Sequence, residues 1–466
     1  MQSEQAIIRM MQKAAECAEA IKRHTSAIVI SHIDADGLTS AAVMCKALDR
    51  CGMEYETRFL KKLDLPTLSE IADLGAELII FTDLGSSMSD EIDKLDSEVI
   101  IADHHQPKKS QHKYHLNPHL FGINGTDELS GAGATYLIAK KMGANSDLAD
   151  LAIVGAIGDM QDMRTGRLIG LNRSIMLEGV DAGVLSFETD IRLFGRQTRP
   201  IYKLLEYCEY PYIPGITGDK DNCIKFLRNL GISLKEDDWR RWIDLCRDEK
   251  KRIVSEIMQL CLTRGMPAYK VQHLVGEVYT LLKEAEGTEL RDASEYSTLL
   301  NATARYDNAD VGLAVCMGDR GLAYAHARSL LAQHRQNLTE GLKLVKEQGV
   351  LALQNLQYFH AGDSIRETII GIIAGMSGNI EGINRNLPII AFADSEEGIK
   401  VSARGTQDLV HQGLNLAVAL HESAKEVGGV GGGHDIAAGA TIPKGSEEEF
   451  LTILDAKIGT QLKRLV

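Results

Sequence analysis

The sequence predicts an α/β protein: a parallel-sheet N-terminal domain, a mostly helical middle section and a smaller α/β C-terminal domain. Three observations predict it. Short apolar runs alternate with helix-like stretches between Ala27 and Asp103. Prolines and a charged, helical texture take over beyond about residue 190. Strand-like runs return after a long helical stretch that stops at Gly349. A chain of 466 residues is expected to form two or three domains rather than one. The expected boundaries are 1–190, 191–345 and 346–466.

The elements follow in order. Residues 1 to about 25 read as an amphipathic helix. Ala27 to Ile30 is a short buried strand, Leu38 to Leu48 a helix, Glu77 to Phe81 a second strand and Ser97 to Ala102 a third. Strands separated by helical segments imply βαβ units and a parallel sheet. Residues 132–143 and 147–159 look like two more helices. Pro200, Pro211 and Pro214 punctuate the next stretch, and Tyr212 to Ile216 reads as a turn-rich connection. Residues 235–264 look charged and helical, and a long helix is expected from Leu322 to Glu347. Strands are expected again at Leu387 to Ala391 and Ile399 to Ala403.

Composition excludes several classes. No stretch reaches the roughly 18 uninterrupted apolar residues of a membrane span, and the N-terminus lacks a basic and apolar leader. A cytoplasmic protein without membrane association is therefore expected. The cysteines, Cys17, Cys45, Cys51, Cys208, Cys223, Cys246, Cys261 and Cys316, form no C-x-x-C pair. They read as reduced thiols rather than a zinc site or disulfide frame. The formal charge of −14 argues against a general nucleic-acid coating protein. It does not argue against a nuclease, because cations held by acidic residues reverse the local sign.

The acidic and histidine residues fall where the strands end. The first strand runs into Ser31-His32-Ile33-Asp34-Ala35-Asp36-Gly37, the second into Thr82-Asp83, the third into Asp103-His104-His105. Ligands of an open parallel sheet bind beyond the carboxyl ends of its strands. Asp159, at the end of the apolar run from Leu151 to Gly158, is a fourth acid for the same edge. A lone Asp after a strand is more often a helix N-cap. That does not account for Asp34 and Asp36 two apart, beside His32, with a histidine pair on another strand. Crowded carboxylates rise in pKa unless cations neutralise them. Mixed carboxylate and imidazole ligation suits Mn²⁺, Mg²⁺, Fe or Co. About six ligand residues are too many for one catalytic ion with open positions, so two bridged ions about 3.5–4 Å apart are expected.

Asp103-His104-His105, with His32-x-Asp34-x-Asp36, Asp83 and Asp159, resembles the four motifs of the DHH phosphoesterases. These include RecJ-type exonucleases, oligoribonucleases, cyclic-dinucleotide phosphodiesterases and related pyrophosphatases. The resemblance implies that Asp83 bridges two divalent cations, Mn²⁺ first, with Mg²⁺ or Co²⁺ as alternatives. It implies that His32 and Asp34 hold one ion, and Asp36, His104 and Asp159 the other. His105 would lie near the phosphate, and Asp103 would orient the histidines.

The segment Val427-Gly428-Gly429-Val430-Gly431-Gly432-Gly433-His434 and the strand-borne Arg404 resemble the substrate-gripping part of the DHH-associated C-terminal domain. Glycine lets backbone N–H groups approach a ligand and form an anion nest, and Arg matches phosphate bidentately. Gly431, Gly432, Gly433, His434 and Arg404 are thus candidate substrate contacts.

Ser130-Gly131-Ala132-Gly133 and the stretches Leu290-Arg291-Asp292 and Leu299-Leu300-Asn301-Ala302 also look RecJ-like. In plan the chain is most similar to archaeal RecJ-like proteins, including the GINS-associated nuclease. The resemblance implies a single-strand DNA or RNA exonuclease linked to replication or repair, with GINS-like replication proteins as partners. Ser31 stands where some RecJ-type proteins carry Asp. Alternatives are a phosphodiesterase for short oligonucleotides or cyclic dinucleotides, and a non-catalytic replication scaffold. Along the sequence no aromatic and basic interleaving marks a stacking track. The basic clusters Lys108-Lys109 with Lys113, and Arg192, Arg196, Arg199 and Lys203, are expected on solvated surface, some along a strand path.

Overall fold

The computed structural model describes residues 2–108, 112–208, 212–378, 380 and 382–463. Lys109 and Pro211 lie outside the described residues. The chain divides into two compact units, 1–331 and 332–466.

The first unit is built on a five-stranded parallel sheet of order β2-β1-β3-β4-β5. Its strands are β1 (Ser26–His32), β2 (Glu54–Leu60), β3 (Leu78–Thr82), β4 (Glu98–Ala102) and β5 (His115–Leu116). Side chains alternate across a strand, so β3 feeds two cores. Leu78 and Ile80 join the larger one with Leu38, Met44, Tyr136 and Val154. Ile79 and Phe81 join the smaller one with Ile30, Leu68, Ile92 and Ile101. The helices Ala35–Cys51, Gly131–Met142 and Ala149–Gly158 pack on one another and build the larger core.

β2 was not among the strands expected from the sequence. It is an edge strand whose Glu54, Glu56 and Arg58 are exposed, which blunts the open edge against pairing but conceals the apolar signal of a strand.

The antiparallel ribbon β6 (Leu185–Ile191) and β7 (Val275–Leu281) brackets an inserted helical module. That module has its own core around Leu204, Leu205, Trp242, Ile253, Ile257 and Cys261. The expected continuous helix over 235–264 is corrected here: the α-helix begins only at Arg247 and runs to Thr263. Glu249 accepts the Cys246 backbone N–H at 2.9 Å and fixes that start. Upstream, Trp242 is fully buried and donates its indole N–H to Asp190 Oδ2 at 2.8 Å, which a helix through this stretch would not serve.

The basic cluster at the ribbon is likewise corrected. Arg192 is ion-paired with Asp162, and Arg196 with Asp292 and Asp190. Arg196 is only 6% exposed. These two arginines tie the ribbon to the sheet domain instead of lying on solvated surface.

The helix Leu322–Gln348 crosses from one unit into the other and stops at Gly349, whose φ of 73° is left-handed. The second unit holds a six-stranded sheet of order β12-β13-β11-β10-β9-β8. Its strands are β8 (Leu351–Ala352), β9 (Gln357–His360), β10 (Ile389–Ser395), β11 (Gly398–Arg404), β12 (Val430–Gly433) and β13 (Ala437–Ile442). Only β9 and β10 pair in parallel. No described helix is long and apolar enough to cross a membrane.

Candidate metal centre

Every acidic and histidine residue of the strand-end motifs sits at one edge of the parallel sheet, delivered by three neighbouring strands. His32 ends β1. Asp34 caps the next helix, its Oδ1 accepting from the Gly37 N–H at 3.0 Å. Gly37 permits this tight turn, since a Cβ there would lie 2.1 Å from the His32 carbonyl oxygen. Asp83 follows β3 and Asp103-His104-His105 follow β4. Asp159 terminates the helix Ala149–Gly158.

Asp83 carries a φ of 57°. A non-glycine residue there costs about 1–3 kcal/mol and is held only by its surroundings. Its N–H donates to the Ala102 carbonyl at 2.8 Å, which locks the turn and leaves the buried carboxylate among the histidines.

Two ligand groups share Asp83. His32, Asp34 and Asp83 present donor atoms within 4.8 Å of one another, and so do Asp83, His104 and His105. Asp36, His104 and Asp159 form a third such set. His32 Nδ1 lies 3.0 Å from Asp34 and 3.5 Å from Asp83. His104 Nε2 lies 3.1 Å from Asp159, 3.4 Å from Asp83 and 3.7 Å from Asp36. Three buried atoms, His32 Nδ1, Asp83 Oδ1 and His104 Nε2, have no hydrogen-bond partner. Such orphans are expensive unless something unshown satisfies them. A divalent cation fits this donor set, because it accepts both imidazole nitrogen and carboxylate oxygen.

The surrounding hydrogen bonds orient the donors. His104 Nδ1 lies 2.8 Å from the Gly125 carbonyl, so it carries the proton and Nε2 is left as a ligand atom. Asp103 Oδ1 accepts from the His104 and His105 backbone N–H groups and from His105 Nδ1 at 2.8 Å, while Oδ2 accepts from Ser86 N. Asp36 accepts the Gly131 and Ala132 N–H groups at 2.6 and 3.0 Å. These are orphan donors of a helix start, each worth about 1–3 kcal/mol if left unsatisfied.

Burial opposes charging of His32, but its contacts with Asp34 and Asp83 prevail and push it up to about 11. His104 is likewise raised, against its burial, by Asp159 and Asp83. Burial and the neighbouring carboxylates raise Asp36 well above the usual carboxylate range, and burial raises Asp159. Asp34 falls to about 2, since its contact with His32 outweighs burial. Without a cation His32 and His104 hold their protons more tightly than usual, and so do the carboxyls of Asp36 and Asp159.

Sequence reasoning missed the residues that make room. A Cβ on Gly131 would lie 2.5 Å from Asp83 Oδ1, and one on Gly155 would lie 2.3 Å from Asp36 Oδ1. Ser130-Gly131-Ala132-Gly133 was a visible signal. Gly155, inside an apolar helix, gave none.

In the second unit, Arg404 ends β11 and is half-buried, with its guanidinium against Gly371. It pairs in register with Ala437, whose carbonyl accepts the His434 N–H at 2.8 Å. Arg404 and the exposed His434 therefore share one end of neighbouring strands. Gly431, Gly432 and Gly433 do not form the expected anion nest. Gly431 and Gly432 lie extended in edge strand β12, paired with Ala440 and Gly439, and Gly433, paired with Ala438, ends it at a φ of 140°, so the N–H groups along the strand alternate in direction instead of converging.

Cation binding must displace the retained protons. Calorimetric titration of the metal-free protein with Mn²⁺, in buffers of different ionisation enthalpy, is expected to show net proton release and affinity that rises with pH. Binding with no proton release would contradict the ligand assignment.

Three family models match the chain in order. The N-terminal domain of the DHH family matches residues 26–156, the DHH-CID domain residues 193–275, and the DHHA1 domain residues 353–460. Uncharacterized protein MJ0831 of Methanocaldococcus jannaschii is 34% identical over 94% of both chains. The single-stranded-DNA-specific exonuclease RecJ of Bacillus subtilis is 28% identical over 39% of this chain and 27% of its own. The structure of exonuclease RecJ bound to manganese superimposes with a TM-score of 0.60 at 17% identity, covering 98% of this chain and 96% of that one. CDC45 from Entamoeba histolytica gives 0.64 at 11% identity, covering 98% of each. The chain belongs to the DHH superfamily, as a RecJ-like protein.

Proposed function

We propose that this chain is a two-metal phosphodiesterase that removes nucleotides from an end of single-stranded DNA or RNA. The observation that carries this reading is three overlapping ligand sets joined through Asp83 and His104, with three buried donor atoms left unpartnered. In this reading His32, Asp34 and Asp83 hold one divalent cation, and Asp83, Asp36, His104 and Asp159 hold the other. Mn²⁺ is the favoured ion, as in the RecJ structure bound to manganese, with Mg²⁺ or Co²⁺ as substitutes. Bound there, the cations would activate a water and take up charge on the phosphoryl oxygens.

The chain's own residues do the rest. Asp103 holds His105 by Nδ1 and raises its pKa, so the half-exposed imidazole can position the phosphate or donate a proton to the leaving oxygen. Arg404 and His434 grip phosphate or the terminal nucleotide from the second unit, with the exposed Gly432 admitting close approach. The proposed division of labour is catalysis in 1–190, connection in 191–345 and gripping in 346–466.

Rings and cations that are scattered in sequence also meet in the inserted module. The Arg199 guanidinium lies 4.6 Å from the Phe194 ring centre and 5.2 Å from that of Tyr207. Tyr202 and Trp239 are 4.9 Å apart, and Tyr207 and Trp239 are exposed. The exposed rings of Tyr207 and Trp239 suit single strands and support a polynucleotide over a dinucleotide substrate.

A replication role, with GINS-like partners in the cytoplasm, is the second reading, favoured by the likeness to CDC45. The complete ligand set favours an enzyme, with or without such a partner.

Digestion of end-labelled single strands with Mn²⁺ is expected to shorten both long and short substrates and to stop on chelation. Asp83→Ala should lose at least about a hundredfold in rate while remaining folded by circular dichroism. Wild-type activity in that variant would end the metal assignment, and cleavage confined to dinucleotides would move the protein to the small-substrate class. His434→Ala should raise KM by more than it lowers kcat; an unchanged KM would contradict gripping.

A further inference from the structure

Beside the metal centre lies a cavity of about 290 Å³. We propose that it receives the base of the nucleotide whose phosphodiester is cut. This inference rests on the phosphodiesterase reading and adds to it a base-binding site.

The cavity neighbours the cluster, although none of the candidate ligands lines it. Its wall includes Gly158 and Met160, the two neighbours of Asp159. On the other side stands Asn301, whose Oδ1 accepts the N–H of Ala35, between Asp34 and Asp36, at 3.0 Å. A Cβ on Gly158 would come within 2.9 Å of the Ala35 side chain, so little separates the cavity from the metal loop. In this proposal a nucleotide held by its phosphate at the cations places its base past Gly158 and Met160.

The chemistry of the lining selects a neutral, flat, polar-edged group. The charged groups are already neutralised: Arg192 by Asp162, Arg196 by Asp292 and Asp190, and Glu277 by Arg173. A phosphate would find no free cation there. Tyr279, Val278 and Leu193 give apolar wall, and the Tyr279 hydroxyl is occupied by the Leu168 N–H at 2.7 Å. Ser297 and Thr298 donate their hydroxyls to the Ser294 carbonyl, which leaves their oxygens as acceptors. Asn301 has its NH₂ to offer, because only its oxygen is engaged with Ala35.

The lip is formed by Met160 and Met163, 65% and 37% exposed. Thioethers pack well against aromatic faces. Met160 also carries a φ of 55°, a left-handed conformation that is unfavourable for a side chain and concentrates at ligand clamps. The volume sits at the lower limit of ligand sites, which suits one ring system and not a second nucleotide.

The test compares single strands with a normal or an abasic terminal nucleotide, placed at each end in turn, on the full chain. With Mn²⁺, base removal at the end that is cut should raise KM at least tenfold. With Mn²⁺ present and a non-hydrolysable phosphonate at the bond that is cut, fluorescence anisotropy should show the same preference without cleavage. Met163→Ala at the exposed lip and Ser297→Leu, which fills the cavity, should both shrink that preference to less than threefold. Hydrolysis of the abasic-ended strand, which offers no ring to the cavity, should change less than twofold in Met163→Ala. Equal KM and equal binding for normal and abasic ends would overturn the pocket while leaving the phosphodiesterase reading intact. So would undiminished preference in Met163→Ala. Failure of the wild type to hydrolyse any substrate would instead overturn the phosphodiesterase reading; base preference in anisotropy would still support the pocket, and its absence would remove both.

Discussion

The repulsion among Asp36, Asp83 and Asp159 around one imidazole nitrogen is the constraint on which the rest of this structure depends. Three carboxylates lie 3.1–3.7 Å from His104 Nε2, and Asp36 and Asp83 are almost wholly buried. His32 Nδ1, Asp83 Oδ1 and His104 Nε2 are left without a hydrogen-bond partner. A site of this kind is stable when cations supply the missing charge. Its cost without them accounts for the raised proton affinity of His32, Asp36 and Asp159.

The fold serves that site by placement. A parallel sheet brings the ends of β1, β3 and β4 to one edge, and short turns convert each end into ligands. Backbone strain at Asp83 and missing side chains at Gly131 and Gly155 let the carboxylates approach closely. The inserted module, with a core of its own, is fastened to this domain by buried ion pairs through Arg192 and Arg196. The cavity beside Asp159 lies at that fastening.

Much of this was legible because it is local. Asp34, Asp36, Asp83 and the Asp103-His104-His105 run sit within a few residues of apolar strands, so period and motif are read together. What was hidden depends on distant partners. Arg196 looks like a surface cation until Asp292, almost a hundred residues away, is found beside it. Gly155 looks like any helical glycine until Asp36 occupies its empty side. The glycine run before His434 looks like a loop, because glycine conceals the strand alternation that its pairing with β13 imposes. β2 is hidden by the charges that protect an edge, and the stretch before Arg247 by a tryptophan whose partner, Asp190, lies on the ribbon.

The most direct test of the central claim is the number of divalent ions bound per chain, measured by elemental analysis after equilibrium dialysis against Mn²⁺. Two ions in the wild type and at most one in folded Asp83→Ala are predicted, because both ligand groups use that carboxylate. Two ions in the variant, or none in the wild type, would contradict the account.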